Sequence, residues 1–133
     1  MVYVSGMKTL FVLIVVIAAL AFGAYIRMAP SDPVRWHIDP TTAVHPNARG
    51  DLRRVRVSLA DFDATARRHS QVLAGSLEAG HITYVVRSRV FGFPDYITAR
   101  QVGADLVILS RARFGHYDLG VNARRLDAWL SGL

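Results

Sequence analysis

An uncharged apolar segment, TLFVLIVVIAALAFGAYI at Thr9–Ile26, places the strongest constraint on what this chain can fold into. Its 18 residues reach the lower limit for a helix that crosses a bilayer. A core helix of a soluble domain would carry a polar stripe, and this segment has none. Lys8 and Arg27 bracket it, and Tyr25 lies at an interfacial depth. The sequence therefore predicts a single N-terminal transmembrane helix over residues 1–28.

The sequence allows two interpretations of this segment. It is either a retained anchor or a cleaved signal peptide, for which Ala19-Leu20-Ala21 offers a small-residue cleavage site. The apolar run continues past that site to Ile26, which favours the anchor. The flanking charges are nearly balanced, and long domains translocate largely regardless of charge, so an exported domain is allowed. We expect a bacterial inner-membrane protein with a periplasmic domain, with a cytoplasmic domain as the alternative.

The composition of the chain excludes several kinds of functional site. The chain has no cysteine, which excludes disulfides, thiolate metal sites and cysteine nucleophiles. The formal net charge is +6, and all basic residues except Lys8 are arginines. Codon bias explains this preference most simply. Selection for guanidinium chemistry at an anion site is the alternative.

Residues 29–50 form a proline-rich segment that holds four of the five prolines, at positions 30, 33, 40 and 46. Proline removes an amide donor and pushes the preceding residue towards extended conformations, so neither a helix nor a central strand is expected. The segment is predicted to be a semi-rigid extended linker. Trp36 and Ile38 interrupt its polarity. They pack either on the domain, which we favour, or on lipid headgroups.

Residues 51–133 form the folded domain. Alternation at 53–57 predicts a strand, and Ser58 is a good N-cap for a helix over 59–71. Four further strands and a C-terminal amphipathic helix follow; the strands are predicted at 72–77, 81–89, 96–102 and 106–113. This order predicts an α+β fold, in which a small antiparallel meander sheet of about five strands carries two helices on one face.

A Phe-Gly-x-x-Asp motif occurs twice, at 91–95 and 114–118, and each copy follows a pair of arginines. In a meander the strands before the two copies run in the same direction, so both loops leave the same sheet edge. We favour a structural interpretation in which Gly and Asp form a turn and a cap. The functional alternative is an anion or partner site with aromatic walls from Phe91, Phe93 and Tyr117. Its candidate residues are Arg87, Arg89, Arg100, Arg111 and Arg113.

The stretch SRARFGHYDLGVNARR resembles the C-terminal signature of the bacterial domain-of-unknown-function family number 1499. The matching residues are Ser110, Arg113, Gly115, Asp118, Gly120, Asn122 and Arg125. FPDY at 93–96 resembles a second segment of the family, whereas Ala112 stands where many members have a serine. The resemblance implies a small domain, often behind a signal or anchor, without an established activity. We expect structural roles for the motif: Asp118 caps the last helix, Asn122 bonds to the loop, and Arg113 and Arg125 pair with Asp118.

Enzyme signatures are absent from the sequence. The histidines lack metal-ligand spacing, and only His116 with Asp118 resembles an acid–base pair. We therefore expect no cofactor, no metal and no nucleic-acid partner. The expected function is a non-enzymatic membrane-anchored interaction domain, an accessory subunit of a membrane protein complex or an envelope scaffold. The alternative is a small module that binds an anionic ligand or an anionic lipid headgroup through the arginine-rich edge.

Overall fold

A computed structural model describes residues 2–89, 91–115 and 117–133. The chain begins with the long helix α1 (Val2–Met28) and a short helix α2 (Pro33–Trp36), followed by two 3₁₀ turns (Pro40–Thr42 and Asn47–Arg49). Five strands and two more helices complete the fold. They are β1 (Gly50–Val55), α3 (Leu59–Ala66), β2 (Gln71–Ser76), β3 (His81–Arg87), β4 (Pro94–Val102), β5 (Asp105–Ala112) and α4 (Val121–Leu130).

The strands form one antiparallel sheet in the order β1-β5-β4-β3-β2. Strands β2 to β5 make the predicted meander, and β1 adds to its open side by pairing with β5 from Gly50↔Arg111 to Val55↔Leu106. Because β3 and β5 both pair antiparallel with β4, they run in the same direction. The α+β class and the shared exit edge of the two Phe-Gly-x-x-Asp loops are therefore confirmed.

One face of the sheet carries the hydrophobic core, with α3 and α4 packed over it. Ser58 caps α3 by accepting a hydrogen bond from the Asp61 amide, as predicted. The core side chains come from alternate positions of the central strands and from both helices; they include Phe62, Ile82, Tyr84, Ile97, Ile108, Leu126 and Trp129. Helix α3 ends at Ala66, five residues earlier than expected, because the chain turns there and enters β2 at Gln71.

The opposite face is covered by residues 29–42, which we name the clip. Trp36 is 7% exposed and stacks on Tyr96 with ring centroids 4.1 Å apart. His37 Nδ1 lies 2.7 Å from Thr83 Oγ1, and Arg100 forms an ion pair with Asp39. Of the two alternatives for Trp36, the structure has the one in which it packs on the domain. The central strands are consequently covered on both faces.

The clip contains short helical turns that the sequence analysis did not expect. Two Asp-Pro pairs explain them. Asp32 accepts a hydrogen bond from the Val34 amide, and Asp39 accepts one from the Thr41 amide. In each pair the proline occupies the first helical position, where its missing N–H costs nothing. Proline therefore starts these turns, and the prediction that the prolines exclude helix was wrong.

Helix α1 is long and apolar enough to cross a membrane by length and composition. Its side chains are exposed around the whole circumference, as Phe11, Ile14 and Leu20 illustrate. Its carboxyl end differs, because Ile26 and Ala29 are only 3% and 2% exposed. The last turn of α1 is thus packed against the domain, whereas the rest of the helix has no cover within the described residues.

Candidate functional site

The two Phe-Gly-x-x-Asp loops lie side by side at the sheet edge where β3 and β5 end. Gly92 and Gly115 have φ angles of 68° and 87°, which β-carbon-bearing residues rarely adopt. The predicted need for glycine at the second motif is confirmed, and it extends to the first. Phe93 bridges the loops, with its ring 5.6 Å from that of Phe91 and 6.2 Å from that of Phe114.

Beneath α4 the second motif builds a buried polar network around Asn122, which is fully buried. Ser110 donates to Asn122 Oδ1 at 2.5 Å, and Arg125 Nη1 donates to the same oxygen at 2.8 Å. Asn122 Nδ2 donates to Asp118 at 2.9 Å. Asn122 therefore bonds to side chains of β5, the loop and α4, and ties these three elements together.

Asp118 caps the start of α4, as expected. Its carboxylate accepts from the amides of Gly120 and Asn122 at 2.8 and 3.1 Å. Partial burial works to raise the pKa of Asp118, but the hydrogen bonds from Asn122 and Gly120 outweigh it and hold the pKa below its ordinary value. The carboxylate is thus kept ionised as a structural acceptor.

The predicted pairings of Arg113 and Arg125 with Asp118 were both wrong, and Arg113 bonds to the Pro30 carbonyl instead. Arg125 Nη2 instead donates to Asp95 at 2.9 Å, and both side chains are about 15% exposed (14% and 15%). Burial raises the pKa of Asp95 above its ordinary value, although the attraction of Arg125 opposes the shift. Asp95 belongs to the first motif and Arg125 follows the second, so this ion pair joins the two copies.

The candidate arginines do not form one site. Arg87 donates from Nη1 and Nη2 to the carbonyls of Ile26 and Ala29 at 3.3 and 2.9 Å, and so holds the end of α1. Arg100 lies at the other end of β4, where Asp39 pairs with it. Arg89 is exposed and bonds to none of the described residues. Two of the five candidates, Arg111 and Arg113, line the same cavity.

Arg111 and Arg113 line a cavity of ≈ 360 Å³ between β5 and the clip. Arg111 Nη2 donates to the Trp36 carbonyl at 3.0 Å, and its guanidinium carbon is 4.8 Å from the centre of the Trp36 ring. Arg113 Nη1 donates to the Pro30 carbonyl at 2.8 Å. Two further arginines, Arg35 and Arg49, also line the cavity.

Sequence reasoning missed Arg35, Trp36 and Arg49 as site residues because it treated residues 29–50 as a linker. The two Asp-Pro pairs were the available signal, since Asp before a proline at a helix start marks an ordered turn. Arg35 and Trp36 are the last two residues of the first of these turns, so the turn fixes their backbone. The arginine site therefore combines strand residues with clip residues.

A second cavity, of ≈ 330 Å³, lies on the α4 side of the same sheet edge. Its lining includes Phe93, Phe114 and Tyr117 together with Asp95 and Asp118. His116, the candidate acid–base partner of Asp118, lies outside the described residues. Within the described ranges, no group of three His, Cys, Asp or Glu side chains is arranged to hold a metal ion.

Comparison with known proteins supports the resemblance seen in the motif. No curated protein matches the chain at a significant level. A family model described as "Protein of unknown function (DUF1499)" matches residues 29–133, which is everything after α1 and includes the clip. The chain therefore belongs to the DUF1499 family.

Proposed function

We propose that this protein is a non-enzymatic interaction domain that α1 anchors in the inner membrane of a bacterium, with the domain in the periplasm. It serves as an accessory subunit of a membrane protein complex or as an envelope scaffold. The observation that carries the proposal is the packed junction between α1 and the domain. A module that acts alone would need only a flexible tether.

The junction is built from buried contacts. Ile26 and Ala29 are almost fully buried, and their carbonyls accept hydrogen bonds from Arg87 on β3. At Gly92, an added β-carbon would lie 3.0 Å from Cγ of Arg27, so the first motif loop contacts the helix end closely. The domain is therefore held in one orientation relative to α1, and the motif edge faces the level at which α1 would leave the bilayer.

The surface available for a partner follows from what is already covered. Helices α3 and α4 cover one sheet face and the clip covers the other, so a sheet face is not available. The motif edge instead exposes large apolar side chains: Phe91 is 63% exposed, Tyr117 75% and Leu119 83%. Together with the uncovered length of α1, this edge supports a protein partner that lies within and just above the membrane.

The periplasmic placement rests on the observation that the charges flanking α1 are nearly balanced, since long domains translocate largely regardless of charge. Protease added to intact spheroplasts tests it. A periplasmic domain is digested without lysis, whereas a cytoplasmic domain is digested only after lysis. The mass of the purified chain shows in the same experiment whether α1 is retained.

The partner proposal is tested by purification of the tagged full chain in a mild non-ionic detergent with quantitative mass spectrometry. We expect a partner at fixed stoichiometry, reduced at least tenfold by the double variant Phe91→Ser with Tyr117→Ser. Val44→Ser is the matched control, since Val44 is 88% exposed but belongs to neither the motif loops nor α1. A chain that purifies alone, or a partner retained equally by all variants, would contradict the proposal.

A further inference from the structure

The cavity between β5 and the clip concentrates positive charge without a carboxylate to balance it. Its lining brings together Arg35, Arg49, Arg111 and Arg113 with Trp36, and no Asp or Glu occurs among the described residues that line it. From this arrangement we propose that the cavity binds a phosphate group, either as a free phosphate compound or as a lipid headgroup. The inference goes beyond the proposed function. Binding of a free phosphate compound would not depend on that function.

Arg111 supplies the central argument. Its Nε is buried and has no hydrogen-bond partner among the described residues, and its Nη2 is bound only to a backbone carbonyl. Two other partly buried arginines of this chain have carboxylate partners: Arg125 has Asp95, and Arg53 has Asp51 and Asp127. A cation taken out of water without a counter-ion is costly. An anion in the cavity would supply the missing counter-charge.

The surroundings of Arg111 strengthen the argument. Burial lowers the pKa of Arg111, and repulsion from Arg35 acts in the same direction, while Tyr96 opposes it. Arg35 and Arg111 lie 5.3 and 4.8 Å from the centre of the same Trp36 ring. Two guanidinium groups held against one aromatic ring repel each other. A ligand with negative charge placed between them would remove that repulsion.

The donor geometry indicates an oxyanion with several acceptors. Hydrogen bonds to described residues occupy Nη2 of Arg49, Nη2 of Arg111 and Nη1 of Arg113, and each of these bonds goes to an oxygen atom of the protein. Most N–H donors of the four arginines remain free for a ligand. Guanidinium groups bind phosphate in bidentate fashion, and the volume of ≈ 360 Å³ falls in the usual range for small-molecule sites. Phosphate matches this charge and donor number better than a single carboxylate does.

Both sources of phosphate can reach the cavity. Arg35 and Arg49 are exposed at its rim, which leaves it open to solutes. Arg113 holds the Pro30 carbonyl, two residues past the end of α1 and thus within about 7 Å of chain. If α1 spans the bilayer, the cavity lies near the headgroup layer. Because the ligand would contact both clip and β5 residues, its binding should stabilise the docked clip.

The test uses the full chain in non-ionic detergent with Trp129→Phe, which leaves Trp36 as the only tryptophan. Inorganic phosphate is titrated at low salt, against potassium chloride of equal ionic strength, while Trp36 fluorescence and thermal unfolding are followed. We expect a saturable fluorescence change and a higher melting temperature with phosphate only. The double variant Arg35→Gln with Arg49→Gln, which changes two exposed rim residues, should weaken binding at least tenfold.

The matched control is the double variant Arg56→Gln with Arg68→Gln. It removes the same charge at two exposed arginines that do not line the cavity. It should change the affinity less than twofold. The second arm places the chain in nanodiscs of phosphatidylcholine alone or with phosphatidylglycerol. A Trp36 response only to the anionic lipid identifies a headgroup, and a response to added phosphate in both discs identifies a free phosphate. No saturable response in either arm, or equal weakening by both double variants, overturns the proposal.

Discussion

Arginines on the two sides of one sheet edge differ in their partners. On the α4 side Arg125 meets Asp95 within a network that also contains Asn122 and Asp118, and each buried polar group has a partner. On the clip side, the side chain of Arg111 bonds to the Trp36 carbonyl and stacks on its ring, and it has no carboxylate partner among the described residues. The first arrangement is complete without a ligand and the second is not. We conclude that the α4 side holds the fold together and that the clip side is where a binding site should be sought.

The largest effect is expected from Arg125→Met. The substitution leaves the buried Asp95 carboxylate without its ion-pair partner and removes one of the two hydrogen bonds to Asn122 Oδ1, so the free energy of unfolding should fall by about 3 kcal/mol. Denaturant titration of the full chain in detergent, followed by tryptophan fluorescence, measures it. Arg124→Met is the matched control at the preceding residue of α4, since Arg124 is exposed and, among the described residues, its side chain bonds to the Leu119 carbonyl alone.

The deficit in the free energy of unfolding caused by Arg125→Met should also depend on pH. Without Arg125 the pKa of Asp95 rises further, so the folded protein takes up a proton more readily than the unfolded chain as pH falls. The deficit should therefore shrink below neutral pH. A deficit that is the same at pH 7 and pH 5, or an equal loss for Arg124→Met, would show that the ion pair is not the cause.

The next largest effect is expected from Trp36→Ala, which removes the stack on Tyr96 and the floor of the arginine cavity. The loss should be about 2 to 3 kcal/mol and confined to the clip, because the core on the other face is untouched. Amide hydrogen exchange should show faster exchange in residues 31–42 only. Val34→Ala, at an 89% exposed position of the same short helix, should change exchange little. Faster exchange throughout the sheet would mean that the clip is part of the core.

These variants separate what the sequence could predict from what it could not. The meander, the shared edge and the glycine turns follow from periodicity and turn chemistry, and the structure has them. The partners of the arginines depend on strand alternation. In the pairing of β4 with β5, Ala112 lies opposite Asp95 and Arg111 lies opposite Tyr96. Because successive side chains of a strand point to opposite faces, a difference of one residue decides whether a side chain points to α4 or to the clip. The packing of Trp36 on the domain was predicted, but treating residues 29–50 as a linker left Trp36, which Arg111 contacts, out of the candidate site.

A smaller effect is expected from Arg111→Met in phosphate-free buffer. The variant loses one hydrogen bond and the contact with Trp36, but it also removes a partly buried cation without a carboxylate partner. The free energy of unfolding should therefore change by no more than about 1 kcal/mol. The same denaturant titration measures it beside Arg125→Met. A loss as large as that of Arg125→Met would remove the contrast between the two sides.

The smallest effect concerns pH on the clip side. Burial, and then repulsion from His81 stacked 3.9 Å away, lowers the pKa of His37 below its ordinary value. The unfolded clip therefore binds the proton more tightly than the docked clip, and docking stability should be lost as pH falls below about 6.5.

Trp36 fluorescence in a Trp129→Phe background measures docking between pH 7.5 and 5. His37→Asn should flatten the profile, and His45→Gln, at an exposed position outside the clip, should not. An unchanged profile in His37→Asn would assign the titration to another group. Asp95 on the α4 side has a raised pKa, so acid should favour that side while it loosens the clip, and the two sides should respond to pH with opposite sign.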